Sequence, residues 1–238
     1  MRALSFAEDL SLLLLDESSG LLYPLPGRTL DFGLATASLL ELTEGDRIDT
    51  DLDSLYLVNA SPLGDPTADA ALEQIAASEE TRSPEYWVRR IGVQLGAQIG
   101  DAALGRLVER GILEPAPGNH YFLTAPVAHA RRYPAADGES TDEVRVRLMK
   151  VLFSNEIPEP RDADLIGLAE ACGVFTRILS RAERERVGDR IELVKSLNLL
   201  CRTAAQVIGQ DLRERPPAAR TGRFRLPAGC RSSAWASP

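Results

Sequence analysis

The stretch Asp31-Phe-Gly-Leu-Ala-Thr-Ala-Ser-Leu-Leu-Glu-Leu42, followed by Thr43-Glu-Gly-Asp-Arg-Ile48, is the strongest indication of how the chain folds. On a helix of 3.6 residues per turn its apolar side chains point in almost every direction, and a helix that is apolar nearly all round is normally buried. The stretch is well short of the roughly 20 residues that a helix needs to span a bilayer. We therefore predict a buried central helix in the core of a soluble domain, ended at Gly45.

The composition of the chain also favours a helical core. Its 238 residues are 44% hydrophobic but only 5% aromatic, so Leu, Ala, Val and Ile must fill the interior. Leu and Ala are strong helix formers, and a chain of this length can bury a sizeable core. Arginine dominates the basic residues, since only Lys150 and Lys195 are lysines, and this bias, with abundant Ala, Leu and Gly, indicates a GC-rich, bacterial genome.

The formal charge of −8 is unevenly distributed along the chain. Residues 212–238 hold six arginines against one glutamate, a net charge of +5, which leaves −13 for residues 1–211. Binding to nucleic acid without sequence preference depends on neutralising phosphates with Lys and Arg. A body this acidic therefore argues against broad, non-specific binding to nucleic acid, although it does not exclude a local basic pocket.

Neither a metal site nor a catalytic group can be read from the Cys and His residues. Cys172, Cys201 and Cys230 are far apart and odd in number, and no CxxC spacing occurs. Together with only two histidines, His120 and His129, this argues against a structural zinc site or a disulfide framework. Cys172 and Cys201 lie in apolar helical patterns and are predicted to be small buried hydrophobes. We expect no catalytic residue, no metal and no cofactor.

The N-terminus lacks the features of a secretory signal. Met1-Arg-Ala-Leu-Ser-Phe-Ala-Glu-Asp9 carries acids where the apolar region of a signal peptide would run. The leucine run 12–15 is too short to span a membrane. We therefore expect a cytoplasmic protein.

Other segments have helix-start residues or helical periodicity. Ser5 and Glu8 match a capping box that opens a helix through Leu15. Pro66 and the pair Ser83-Pro84 are typical of helix starts. Helices are accordingly predicted over residues 67–77, 85–94 and 101–110, and three apolar faces in the C-terminal half lie within 144–152, 165–179 and 187–208.

Short β-like pieces alternate with these helices. Residues 21–23 are a strand candidate, 47–50 and 54–58 pair as a small hairpin, and 112–123 forms a hairpin projecting after a helix. The prediction is a mainly α fold: a single helical domain over residues 1–211 around a buried central helix, with small β-hairpins. A disordered basic tail, 212–238, follows.

Residues 101–124 also resemble the end of a winged-helix module, with a helix, a glycine and then a hairpin. Such a module would need a preceding basic recognition helix. Arg89 and Arg90 are available, but Asp101, Glu109 and the acidic body oppose docking on phosphates. DNA binding is therefore the third hypothesis.

The most informative polar cluster is Val144-Arg-Val-Arg-Leu-Met-Lys150. Arg147 and Lys150 are three residues apart and so share one side of a helix, while Val144 and Leu148 face the core. Such a pair could bind an inositol phosphate or meet an anionic membrane, at about 1 kcal/mol per basic residue. A merely solvated basic face is the alternative.

Several segments, in order and covering most of residues 1–155, resemble the Golgi phosphoprotein 3 family, whose eukaryotic members are phosphatidylinositol-4-phosphate-binding Golgi adaptors. The segments are 4–15, 34–42 with 45–48, 64–72, 107–113 and 147–150. The resemblance implies a mostly helical fold around a buried central helix and a protruding hairpin, here 112–123, that mediates homo-oligomerisation. It also implies a non-enzymatic protein located peripherally at a membrane.

The resemblance further implies a phosphoinositide headgroup site. Arg147 and Lys150 match two basic positions of the family's pocket, which also uses a Trp in the loop before the central helix and an Arg near its start. Here the loop 23–28 contains no Trp, Ala35 takes the place of the Arg, and Arg28 is a candidate substitute in charge. Anionic-lipid binding is the leading hypothesis, and a protein-interaction scaffold that lost lipid recognition is the second.

Overall fold

The computed structural model describes residues 3–124, 144–154 and 157–215. Within these ranges six short strands form three separate antiparallel pairs, and nine helices hold most of the described residues. The predicted mainly α fold with small hairpins is confirmed. The helices are α1 (Phe6–Leu14), α2 (Thr29–Glu44), α3 (Pro66–Ala76), α4 (Pro84–Glu109), α5 (Val144–Phe153), α6 (Pro160–Ala171), α7 (Phe175–Ile178), α8 (Arg181–Leu197) and α9 (Leu199–Glu214), and the strands are β1 (Leu15–Asp16), β2 (Leu21–Leu22), β3 (Ile48–Thr50), β4 (Leu55–Leu57), β5 (Leu113–Ala116) and β6 (His120–Leu123).

Helix α2 is the buried central helix that the sequence predicts. Its apolar residues from Phe32 to Leu42 are almost completely buried, and it packs against α1, α3, α4, α6 and α9. It ends where expected, with Gly45 as its C-cap. The next residue, Asp46, has a positive φ of 55°, and the N–H of Arg47 donates back to the carbonyl of Leu42 at 2.8 Å, which closes the helix end. The apolar side chains that surround α2 belong to one continuous core.

Helix α4 is longer than the sequence predicts. The separate helices predicted over 85–94 and 101–110 are one continuous helix, and Gly96 lies in its middle. A Cβ on Gly96 would lie 2.9 Å from the Cα of Asp31 in α2. The glycine thus allows the two helices to approach closely, and this packing outweighs the weak helix propensity of glycine.

We expect Gly96→Ala to destabilise the protein and Gly105→Ala to stabilise it. The methyl group at position 96 would push against the backbone of α2, which costs about 1–3 kcal/mol of unfolding free energy. Nothing lies within 4 Å of a Cβ at Gly105 in the same helix, so better helix propensity adds about 0.5–1 kcal/mol there. Urea denaturation of both variants checks this, and a stable Gly96→Ala protein would contradict the close approach of α2 and α4.

Side-chain caps define several helix boundaries. Ser5 and Glu8 form the predicted capping box of α1, and Ser83 caps α4. The third predicted apolar face, 187–208, is divided between α8 and α9 at Asn198, whose side chain accepts from the N–H of Cys201 at 3.2 Å. Helix α9 continues to Glu214, past the predicted domain end at residue 211. Residues 216–238 of the predicted tail lie outside the described residues.

Both predicted hairpins are present. Strands β3 and β4 pair Ile48 with Leu57 and Thr50 with Leu55. The β5–β6 hairpin does not simply project from α4, because the N–H of Tyr121 donates to the carbonyl of Gly20 at 2.6 Å. The ring of Phe122 also closely approaches Gly20. This hairpin is thus attached to the β1–β2 turn, and its role in oligomerisation stays a prediction.

Candidate functional site

Arg147, the first residue of the predicted headgroup pair, is bound by two carboxylates. Its Nε donates to Asp162 Oδ1 at 2.6 Å, and its Nη2 donates to Asp9 Oδ2 at 3.4 Å. Both aspartates are buried, while the Arg147 side chain is 30% exposed. The guanidinium therefore ties α5 to α1 and α6, and its charge is balanced within the fold.

Lys150, the second residue of the pair, has different surroundings. It lies one turn after Arg147 on α5 and is exposed to solvent. Within residues 3–124, 144–154 and 157–215, no carboxylate forms an ion pair with it. The two residues thus lie on one helix, but among the described residues only Arg147 forms ion pairs within the fold.

The positions that differ from the family's pocket lie elsewhere. Ala35 is 0% exposed inside α2 and presents nothing to solvent. Arg28 precedes α2, and its backbone N–H lies 3.3 Å from Asp211 Oδ2. Burial raises the pKa of Asp31, and the nearby charge of Arg28 opposes this rise. Arg28 therefore belongs to a charged cluster with Asp31 and Asp211, and no described contact joins it to Arg147.

A second ionic cluster connects α1 to α4. Glu8 is 1% exposed and lies 3.4 Å from Nε of Arg106 and 3.3 Å from Nε of Arg110. Arg106 also reaches Asp65, the cap of α3, at 2.8 Å. Burying a carboxylate requires such compensation. Sequence reasoning did not find this cluster, although two adjacent acids in an otherwise apolar helix were the feature that could have indicated it.

Asp9 is the most perturbed carboxyl of the network. Burial raises its pKa to about 7, although the positive charges of Arg147 and Arg161 oppose the rise. Its Oδ1 has no hydrogen-bond partner among the described residues. Arg161 lies over the ring of Phe6 at 4.1 Å and pairs with Glu41 at 3.0 Å. Asp9 thus lies near two arginines but accepts too few hydrogen bonds to offset the free-energy cost of burying its charged form.

The cysteines and histidines form no catalytic or metal-binding group in the described chain. Cys172 and Cys201 are free and buried, as predicted, and burial raises the pKa of the Cys172 thiol to about 12. A ring nitrogen of His120 lies 2.8 Å from the carbonyl oxygen of Pro117 in the hairpin turn. Among the described residues, no three His, Cys, Asp or Glu side chains cluster as metal ligands would. His129 and Cys230 lie outside the described residues.

Comparison with protein families identifies the relatives of this fold. The family model described as Golgi phosphoprotein 3 (GPP34) matches residues 6–214, nearly all of the helical body. The chain belongs to the Golgi phosphoprotein 3 family. A search of curated proteins finds no match.

The family match extends further than the sequence segments suggest. The segments that resemble the family lie within residues 1–155, whereas the Golgi phosphoprotein 3 match continues through α6 to α9. GPP34 is not a known enzyme family. Of the helices described, none is long and apolar enough to cross a bilayer.

Proposed function

We propose that this Golgi phosphoprotein 3 family member is a non-enzymatic cytoplasmic adaptor that binds anionic lipid headgroups peripherally at a membrane. The headgroup it would recognise is a phosphoinositide such as phosphatidylinositol-4-phosphate, at Arg147 and Lys150. The observation that carries the proposal is that Lys150 is exposed to solvent, one turn from Arg147 on α5. Family membership supports the same function.

The local charges suggest how the headgroup would be held. Lys150 offers a cation to phosphate, and basic residues near an anionic surface contribute about 1 kcal/mol each. The exposed part of Arg147 provides further donors, although Asp9 and Asp162 already balance its charge. Because Ala35 is buried and the loop 23–28 lacks a Trp, fewer side chains would contact the phosphate here than in the pocket that the family resemblance implies. We therefore expect weak binding that decreases with ionic strength.

Liposome flotation tests the proposed function. The full chain is mixed with phosphatidylcholine vesicles that contain or lack phosphatidylinositol-4-phosphate, at low and at moderate salt. We expect flotation only with the anionic lipid, stronger at low salt, and about tenfold weaker for the folded Arg147→Ala/Lys150→Ala double variant. An absence of lipid-dependent flotation at either salt would refute the proposal.

A protein-interaction scaffold without lipid binding is the second candidate function. It is favoured by the internal ion pairs of Arg147, which leave Lys150 as the only half of the predicted pair without internal contacts among the described residues. On this alternative, vesicles fail to bind the chain, whereas a protein partner binds and is lost when residues 112–123 are deleted. The deletion variant must first retain its helical circular dichroism, because Tyr121 in that hairpin contacts Gly20.

A further inference from the structure

Helix α8 carries a second stripe beside the face that it turns to the core. Val187, Ile191 and Val194 form the buried face of this helix. The residues of the second stripe, Arg186, Arg190, Leu193 and Leu197, follow one another at spacings of four, three and four residues. Such spacings place side chains along one line of a helix. The two leucines of the stripe are largely exposed, Leu193 at 62% and Leu197 at 67%.

This stripe meets the end of α5 along an open groove. Phe153, Arg186, Arg190 and Leu193 are among the lining residues of the groove, which has a volume of about 350 Å³. The guanidinium of Arg186 lies over the Phe153 ring, 5.3 Å from its centroid. Nε of Arg190 donates to the carbonyl of Val151 at 2.9 Å. The two arginines therefore connect α8 to the last turn of α5.

Lys150 belongs to the same surface. It precedes Phe153 by three residues, which places both side chains on one side of α5. We define the α5–α8 face as Lys150, Phe153, Arg186, Arg190, Leu193 and Leu197. Three of its members are cations and three are large, partly or mostly exposed apolar side chains. Asp189 is the carboxylate that also lines the groove.

We infer that the α5–α8 face lies on an anionic membrane surface, with its apolar side chains inserted at the boundary between headgroups and acyl chains. This inference rests on the proposed function and names the surface through which it would act. Cations that flank exposed apolar side chains are typical of protein surfaces that lie in the membrane interface. The face holds three cations, whereas residues 1–211 as a whole carry a net charge of −13. An anionic bilayer is therefore electrostatically complementary to this face.

If the α5–α8 face lies on the membrane, Leu193 and Leu197 contribute to binding although neither belongs to the proposed headgroup site. Leu193 and Leu197 lie outside the Arg147–Lys150 pair, so a site confined to one headgroup would not require them. On the α5–α8 face they bury apolar surface in the bilayer, and arginines on the same stripe attract the lipid phosphates. Loss of the leucines should therefore weaken binding to any anionic vesicle, with or without a phosphoinositide.

The test compares Leu193→Asp/Leu197→Asp with the control Leu52→Asp, which changes a mostly exposed leucine between β3 and β4. The full chains are floated with phosphatidylcholine vesicles containing either phosphatidylglycerol or phosphatidylinositol-4-phosphate. We expect binding of the double variant to fall about tenfold or more on both vesicles, and binding of the control to change less than about twofold. Thermal melting confirms that both variants are folded.

Insertion depth provides a second readout. Leu197→Trp is expected to be quenched by brominated phosphatidylcholine in anionic vesicles, whereas Leu52→Trp is not, after subtraction of the wild-type signal. Wild-type flotation with no effect of the leucine substitutions and no quenching at position 197 would overturn this inference but leave the proposed function intact. An absence of wild-type flotation with every vesicle would overturn both.

Discussion

Arg106→Met is expected to lower the free energy of unfolding by about 3–5 kcal/mol, because it removes one partner of a buried charge network. Arg106 lies against Glu8, which is almost completely buried in α1, and against Asp65 at the start of α3. Methionine fills the volume of the aliphatic stem but supplies no charge. Arg110 remains beside Glu8, but Asp65 loses its arginine and the attachment of α4 to α3 weakens.

Urea denaturation measures the loss, and two further variants show where it comes from. Arg181→Met removes an exposed ion pair with Glu185, so we expect a change within about 0.5 kcal/mol. In a Glu8→Gln background, Arg106→Met should cost less than in the wild type, because no carboxylate is left at position 8. Equal costs in both backgrounds would show that Glu8 is not compensated by Arg106.

Asp9→Asn is expected to stabilise the protein more at pH 7 than at pH 5. The folded chain holds the proton of Asp9 up to a pKa of about 7, whereas the unfolded chain releases it near the ordinary value of 3.8. The folded state therefore binds more protons between these values, and the contribution of this group to the unfolding free energy falls as pH rises from about 4 to about 7. Asparagine cannot ionise, so the variant escapes this loss.

The expected size follows from the linkage between proton binding and stability. Relative to wild type, Asp9→Asn should gain about 2 kcal/mol in unfolding free energy between about pH 5 and pH 7. The attraction between ionised Asp9 and Arg147 is already contained in the raised pKa of Asp9, so only the exchange of a protonated carboxyl for an amide shifts the variant equally at both pH values. Denaturant titrations at several pH values measure the trend, and Asp53→Asn at an exposed position is the control. A pH-independent difference would contradict the raised pKa.

Local sequence patterns were enough to predict much of the fold. The all-round apolar character of α2, the capping box at Ser5 and Glu8, and the β3–β4 pairing depend on residues close in the chain. The continuity of α4 could not be read in the same way. It depends on α2 packing against Gly96, a contact between residues distant in sequence. The break at Asn198 was missed because the apolar pattern continues across it.

The candidate site was only half predictable for the same reason. Helical spacing correctly placed Arg147 and Lys150 on one helix, but it could not show which of them has internal partners. Asp9 is 138 residues from Arg147 in the chain, and only the packing of α1 against α5 brings the two together. The α5–α8 face was equally hidden, because Arg186 meets Phe153 only through the arrangement of two helices.

Headgroup recognition at Lys150 is tested by the vesicle binding of Lys150→Ala and Arg147→Ala, each measured together with its free energy of unfolding. We expect Lys150→Ala to keep wild-type stability within about 0.5 kcal/mol and to bind phosphatidylinositol-4-phosphate vesicles about fivefold more weakly. We expect Arg147→Ala to lose about 1–3 kcal/mol of stability, because Asp9 and Asp162 lose their cation. Undiminished vesicle binding by Lys150→Ala would refute headgroup recognition at this lysine.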